Sequence, residues 1–320
     1  MPYREADLAR LRTVPVAGRR NKVDSSLLAS PPGPDRSFTS FLESLPDVLG
    51  ARDLRAVIAG VAGAARTGRG VVLLVGGHVV KVGLGPLINA WLERGIVTHL
   101  ALNGAAAIHD FELAAFGGTS EDVESGLADG SFGMAEETGA RMNAAIAAAA
   151  RAGQGMGEGL ARGLAEGPRL PGGAVSILLA ALRHDVPITV HTAIGAEIIH
   201  QHPSADGAAL GATSHRDFRR LAGSLPTLDQ GGAVLNWGSA VVLPEVFLKA
   251  LAIARNLEGG RPTHFLAADF DMQRHYRPRV NVVQRPTRAG GAGYLLTGQH
   301  EILIPLLVWG VLEEEAGGPA

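Results

Sequence analysis

The sequence has no cysteine, and aromatic residues make up only 5% of its 320 positions. Without cysteine there can be no disulfide, no thiol nucleophile and no zinc–thiolate centre. Few aromatics alongside 43 glycines imply packing through small side chains and close backbone approach. Neither sign of charge is in excess. The formal net charge is −2, so no overall field favours nucleic acid or an anionic membrane surface. No apolar run reaches the roughly 18–20 residues needed to span a bilayer. The first residues, MPYREADLARLR, are charged and contain no apolar signal-peptide core, so a cytoplasmic protein is expected.

What is present is a core-forming composition, 46% hydrophobic and 19% charged, suited to one large α/β domain. Residues 1–36, rich in charge, proline and serine, read as an amino-terminal arm. Residues 37–315 read as a single domain. Apolar runs at 71–75, 96–102, 186–190, 232–236, 263–268 and 294–297 predict strands. Between and around them, helical periodicity is expected at 37–49, 53–65, 84–92, 134–151, 175–183, 218–225, 244–255 and 302–314. Strands alternating with helices predict an α/β fold, a Rossmann-like doubly wound parallel sheet with helices on both faces. Two stretches carry no regular expectation: the glycine-rich 153–173, taken as a surface segment, and the polar 269–293.

Chemistry concentrates in Gly77–Val123, GHVVKVGLGPLINAWLERGIVTHLALNGAAAIHDFELAAFGGTSEDV. After the second strand come Asn103, Gly104 and three alanines, then His109, Asp110 and Glu112. Ligands of open parallel sheets bind outside the carboxyl ends of the strands, where this cluster falls. His109 can move protons near neutral pH. Lys81, between a strand and a helix, could hold a phosphate or form a Schiff base. Thr119, Ser120, Glu121 and Asp122 have the pattern of a helix N-cap. Asn236, Trp237, Gly238 and Ser239 form another strand-to-helix turn. Arg277 and Arg279 belong to an arginine-rich stretch suited to carboxylates. The histidines at 191, 200, 202 and 215 lack familiar metal-ligand spacing, so no metal is expected.

This segment resembles the deoxyhypusine synthase family, and a looser resemblance runs in order from about residue 37 to 311, including the closing HEILIPLLVWGVLEEE. The resemblance implies an NAD-binding Rossmann-like fold, a homotetramer, and a site in which Asn103, Gly104, Ala105, Asp110, Ser120, Glu121, Asn236, Gly238 and Ser239 contact NAD. Taken with the residue chemistry above, Lys81, His109 and Asp110 are the catalytic candidates and Trp237, Arg277 and Arg279 the substrate-binding ones. The family's acceptor-lysine motif has no counterpart; residues 275–291 read HYRPRVNVVQRPTRAGG. The family's catalytic histidine is likewise missing, with PEVFLKA in its place. The expectation is therefore NAD-dependent chemistry at a C–N bond of a small amine or amino acid, not deoxyhypusine synthesis. A homospermidine-forming type of aminobutyltransferase is one alternative, and a non-catalytic binding or assembly protein is another.

Overall fold

Val71–Val75 is apolar and buried at every position, as a strand covered on both faces must be. In the computed structural model, which describes residues 3–168 and 170–316, it is the centre of the fold. Six parallel strands, β1 (Val71–Val75), β2 (His99–Asn103), β3 (Ile188–His191), β4 (Ala233–Trp237), β5 (Leu266–Asp271) and β6 (Ala292–Thr297), lie in the order β3-β2-β1-β4-β5-β6. The chain starts at the middle, winds out to β3, and returns to lay β4 against the other side of β1. Val75 is thus in register with Leu102 on one side and Trp237 on the other. This reversal makes the carboxyl ends of β1 and β4 the topological switch point, the usual ligand position in such sheets. The fold is α/β and Rossmann-like, as the alternation predicts.

Helices α1 (Phe38–Ser44) and α2 (Leu49–Arg66) precede the sheet. Then α3 (Gly77–Lys81) and α4 (Gly85–Glu93) link β1 to β2. Five helices link β2 to β3: α5 (Gly104–Phe116), α6 (Val123–Asp129), α7 (Glu136–Arg151), α8 (Met156–Ala165) and α9 (Ile177–Arg183). The second half adds α10 (Gly207–Ser224), α11 (Val242–Leu257), the short α12 (Arg285–Thr287) and α13 (His300–Ala316). Strand residues alternate between two cores. Leu73 and Val75 pack with Ile58, Phe111, Leu160 and Val308 from α2, α5, α8 and α13. Val72 and Leu74 pack with Leu221 and Phe247 from α10 and α11. No helix among the described residues is long and apolar enough to cross a membrane.

The structure departs from the sequence expectations in four places. The helix expected over 37–49 is broken after Ser44, because Leu45 precedes Pro46 and is held extended. The turn expected after Asn103 is instead α5, capped by Asn103 and started by three alanines, which are strong helix formers. The segment 153–173 is not a surface loop. It contains α8, whose Met156, Leu160 and Leu164 are buried. There the glycines serve helix packing: a Cβ on Gly159 would lie 2.4 Å from the Ala149 side chain. Finally, 269–293 is only partly polar loop. β5 runs on to Asp271, and a π-helical turn over Pro278–Gln284 buries Val280, Val282 and Val283.

Candidate functional site

The site is built where β1 and β2 end. Gly76, after β1, sits so close to the β4 turn that a Cβ would meet the Gly238 carbonyl at 2.1 Å. β2 ends at Asn103, whose Oδ1 accepts from the Ala106 N–H at 2.9 Å and caps α5. The helix then places His109 and Glu112, three residues apart, on one face, with Asp110 on the opposite, buried face.

His109 and Glu112 face a cavity of about 230 Å³. Its wall also includes Lys81, Ala105, Glu121 and Glu197. His109 Nδ1 is 2.7 Å from Thr119 Oγ1, and Thr119 donates to Glu112 Oε2 at 2.5 Å. Thr138 donates to the other Glu112 oxygen at 2.9 Å. Thr119 has a single proton and gives it to Glu112, so it must accept from His109 Nδ1–H. The neutral ring is then left with a lone pair on Nε2. Burial lowers the His109 pKa, against the opposing pull of Glu112, and so favours this neutral form near pH 7.

The opposite wall is the loop after β3. Glu197 Oε1 accepts from the Ala193 N–H at 2.9 Å, and Oε2 lies 3.0 Å from His200 Nε2. That second pair is close enough for an ion pair but is not aligned as a hydrogen bond. His200 Nδ1 accepts from the Gly195 N–H at 3.1 Å, which turns its protonated Nε2 toward the carboxylate. Burial pushes the Glu197 carboxyl up to about 7. Its side chain rests on the first turn of α5, where a Cβ on Gly104 would fall 2.3 Å from the Glu197 carboxyl carbon.

Of the residues expected from the sequence, Lys81, Ala105, His109, Ser120 and Glu121 line this one cavity. Ser120 and Lys81 are exposed at its mouth, and Glu121 Oε1 is tied to the Gly133 N–H at 3.0 Å. Asp110 does not face it. Its carboxylate is buried and accepts from Ser176 Oγ, the Ile177 N–H and the Leu178 N–H at 2.7, 2.8 and 3.0 Å, fastening the start of α9 to α5. Burial still pushes its pKa up to about 6, against those bonds. A side chain so enclosed has no face left for a cofactor or a substrate.

The β4 turn is held partly from within, while Asn236 Oδ1 and Trp237 Nε1 are buried without a hydrogen-bond partner among the described residues. Asn236 Nδ2 donates to Asp269 Oδ1 at 2.7 Å and to the Ser239 carbonyl at 3.1 Å. Ser239 Oγ accepts from the Leu243 N–H at 3.2 Å. The His300 ring closes over Gly238, which has φ +65. Trp237 is fully buried, its ring 5.4 Å from Trp91 and 6.5 Å from Phe270, so it packs as a core residue and does not line the cavity. Arg277 pairs with Glu245 at 3.2 Å, and Arg279 stacks on Tyr276 at 5.9 Å. Both arginines lie outside the cavity, beyond β5, because the π-helical turn, which Arg277 precedes and Arg279 belongs to, packs toward α11.

Glu112, Thr138, Glu197 and His200 complete the arrangement. The sequence points to Glu112 only as a member of the strand-end cluster and to His200 only as one of the histidines without metal-ligand spacing, and Thr138 and Glu197 carry no sequence expectation as site residues. Glu112 had a usable signal, its i+3 spacing from His109, visible once 104–116 is read as a helix. Glu197 had none, because nothing in AIGAEIIH relates it to residues ninety positions earlier.

No protein-family model matches the sequence, and a search of curated proteins finds no match. Solved structures do share the fold. A provisionally assigned deoxyhypusine synthase from Entamoeba histolytica superposes with TM-score 0.51 at 11% identity, over 87% of this chain and 93% of that one. AgrE, solved in complex with ornithine and NAD+, gives TM-score 0.51 at 14% identity over 85% of this chain. This chain spans only 35% of the AgrE chain. A provisionally assigned LOR/SDH protein from Methanococcus maripaludis S2 gives TM-score 0.50 at 14% identity, over 84% of this chain and 71% of that one. At such identities the likeness is one of fold.

Proposed function

We propose that this chain is a deoxyhypusine synthase-like, NAD-dependent enzyme acting at a C–N bond of a small amine, without making deoxyhypusine. The observation that carries this proposal is the convergence of Glu112, Glu121, Glu197 and His109 on one cavity at the strand ends of a Rossmann-like sheet. Three carboxylates suit an ammonium group, which must be paired when it leaves water.

The residues present also suit the dinucleotide. Ala105 exposes a flat, small surface on the first turn of α5. Ser120 and Glu121 offer partners for ribose hydroxyls, and Lys81 offers a cation for the diphosphate. The cavity is smaller than the roughly 300–1,000 Å³ of most ligand pockets, so it would take the reacting end while the rest lies across the strand ends. When bound, NAD supplies the hydride acceptor. The protein's own part is proton handling: His109 Nε2, with its free lone pair, accepts the proton that an ammonium group must lose before its carbon is oxidised. Glu197, poised near neutrality, holds the charged amine when ionised.

The same carboxylates favour a polyamine over an amino acid, because they outnumber the one lysine or arginine of the cavity wall, Lys81, which lies exposed at its mouth. That supports the aminobutyl-transfer alternative as a second reading. Incubating the protein with NAD and either a polyamine or ornithine, and following NADH with product analysis, separates the two. NADH with an imine or aldehyde product supports oxidation, whereas a new secondary amine without net NADH supports transfer.

A further inference from the structure

Residues 3–36 are exposed almost throughout, with Leu27 half-buried, and they touch the domain at their root. There the Ser30 N–H donates to the Ser44 carbonyl and the Asp47 N–H to the Leu27 carbonyl, at 2.9 and 3.0 Å. Beyond this root, Leu8, Leu11, Val14, Val16 and Val23 all stand in solvent. Between Arg10 and Lys22 the arm carries five cations, Arg10, Arg12, Arg19, Arg20 and Lys22, and no carboxylate. None of these cations is in an ion pair among the described residues. An arm with this many exposed apolar side chains needs a surface to cover them.

The domain offers one of matching character. On α1 and α13, Phe38 lies 5.9 Å from Phe41 and 6.0 Å from Trp309, and Trp309 and Phe41 remain 54% and 45% exposed. A groove of about 770 Å³ runs beside them, floored by Leu42, Ile58 and Gly310 and edged by Glu43, Glu313 and Glu314. None of these three carboxylates is in an ion pair among the described residues, whereas of the two arginines in the same groove Arg55 is held by Asp47 at 2.9 Å and Arg66 donates to the Glu314 carbonyl at 3.4 Å, leaving three carboxylates to two cations.

We propose that the arm of one copy docks on the α1–α2–α13 face of a second copy, with Leu11, Val14 and Val16 over the groove and the arginines against its glutamates and aromatic rings. Every copy carries both the arm and the face, so exchange of arms closes as a symmetric pair. From the root at Leu27, seventeen residues of extended chain reach about 55 Å to Arg10, enough to cross to a neighbour.

Sedimentation of the full-length protein tests this. The wild type should self-associate. Arg19→Glu with Arg20→Glu should weaken association roughly tenfold or more, as should Glu313→Lys with Glu314→Lys. Combining all four substitutions should restore it. Neither arginine is in an ion pair, so circular dichroism should show all variants folded. A monomeric wild type, charge reversals without effect, or a four-fold variant that stays dissociated would each overturn the proposal.

Discussion

His109 Nδ1 and Thr119 Oγ1 are 2.7 Å apart, and that contact decides which nitrogen of the imidazole is free to take a proton. Thr119 passes its own proton to Glu112, so the ring must keep its hydrogen on Nδ1. Replacing Thr119 by valine preserves its shape and removes the link. Nitrogen NMR of the folded protein should then show the neutral His109 shifting toward the Nε2–H form. Stability should fall by about 1–2 kcal/mol, and Thr119→Ser should restore both. An unchanged tautomer in Thr119→Val would show that the hydroxyl does not orient the ring.

Gly104→Ala should disturb the site through Glu197, because the new methyl would fall on the carboxyl carbon. The single substitution should cost about 1–3 kcal/mol. Adding Glu197→Ala should recover most of it, a coupling that urea unfolding of the four proteins would measure. Simple additivity would mean that the loop after β3 yields freely.

Amine binding should depend on pH through Glu197. Its carboxyl is raised to about 7, so it is protonated below that and charged above it. Calorimetric affinity for a small cationic amine should therefore rise as pH increases through about 7, and Glu197→Gln should flatten the curve. A wild-type profile that is already flat would remove Glu197 from the binding site.

Stability should fall in acid partly through His191. Burial holds its pKa down to about 3, far below the ordinary histidine value of 6.5. A histidine with a depressed folded pKa contributes stability above the unfolded value and loses it as pH falls. Between about pH 6.5 and 3 the loss should approach 1.4 kcal/mol per pH unit. His191→Gln should show a shallower decline in urea unfolding, and an identical slope would refute the assignment.

The sheet was legible because Val71–Val75 is a continuous apolar run and its two neighbours, at 96–102 and 232–236, are largely apolar stretches that begin at or just after a glycine. Within the candidate site, Lys81 and His109 could be placed from strand-end position and Glu121 from the resemblance. Asp110 and Trp237 fall outside the cavity for one reason: position along the chain says which turn a residue occupies, not which side of the helix or sheet it faces. Reading 104–116 as a helix would have put Asp110 opposite His109. Glu197 and the arginines lay beyond local pattern altogether. Long-range folding brings the glutamate to α5 and takes Arg277 to Glu245.

The central claim, that the reacting end of NAD lies over Ala105 in the cavity of His109 and Glu197, is tested most directly by titrating NAD into the wild type and into Ala105→Phe. Calorimetry should show saturable binding to the wild type. The phenylalanine, on an exposed position of α5, should leave the fold intact and abolish most of that binding. No heat with NAD, or equal affinity in the two proteins, would contradict the claim.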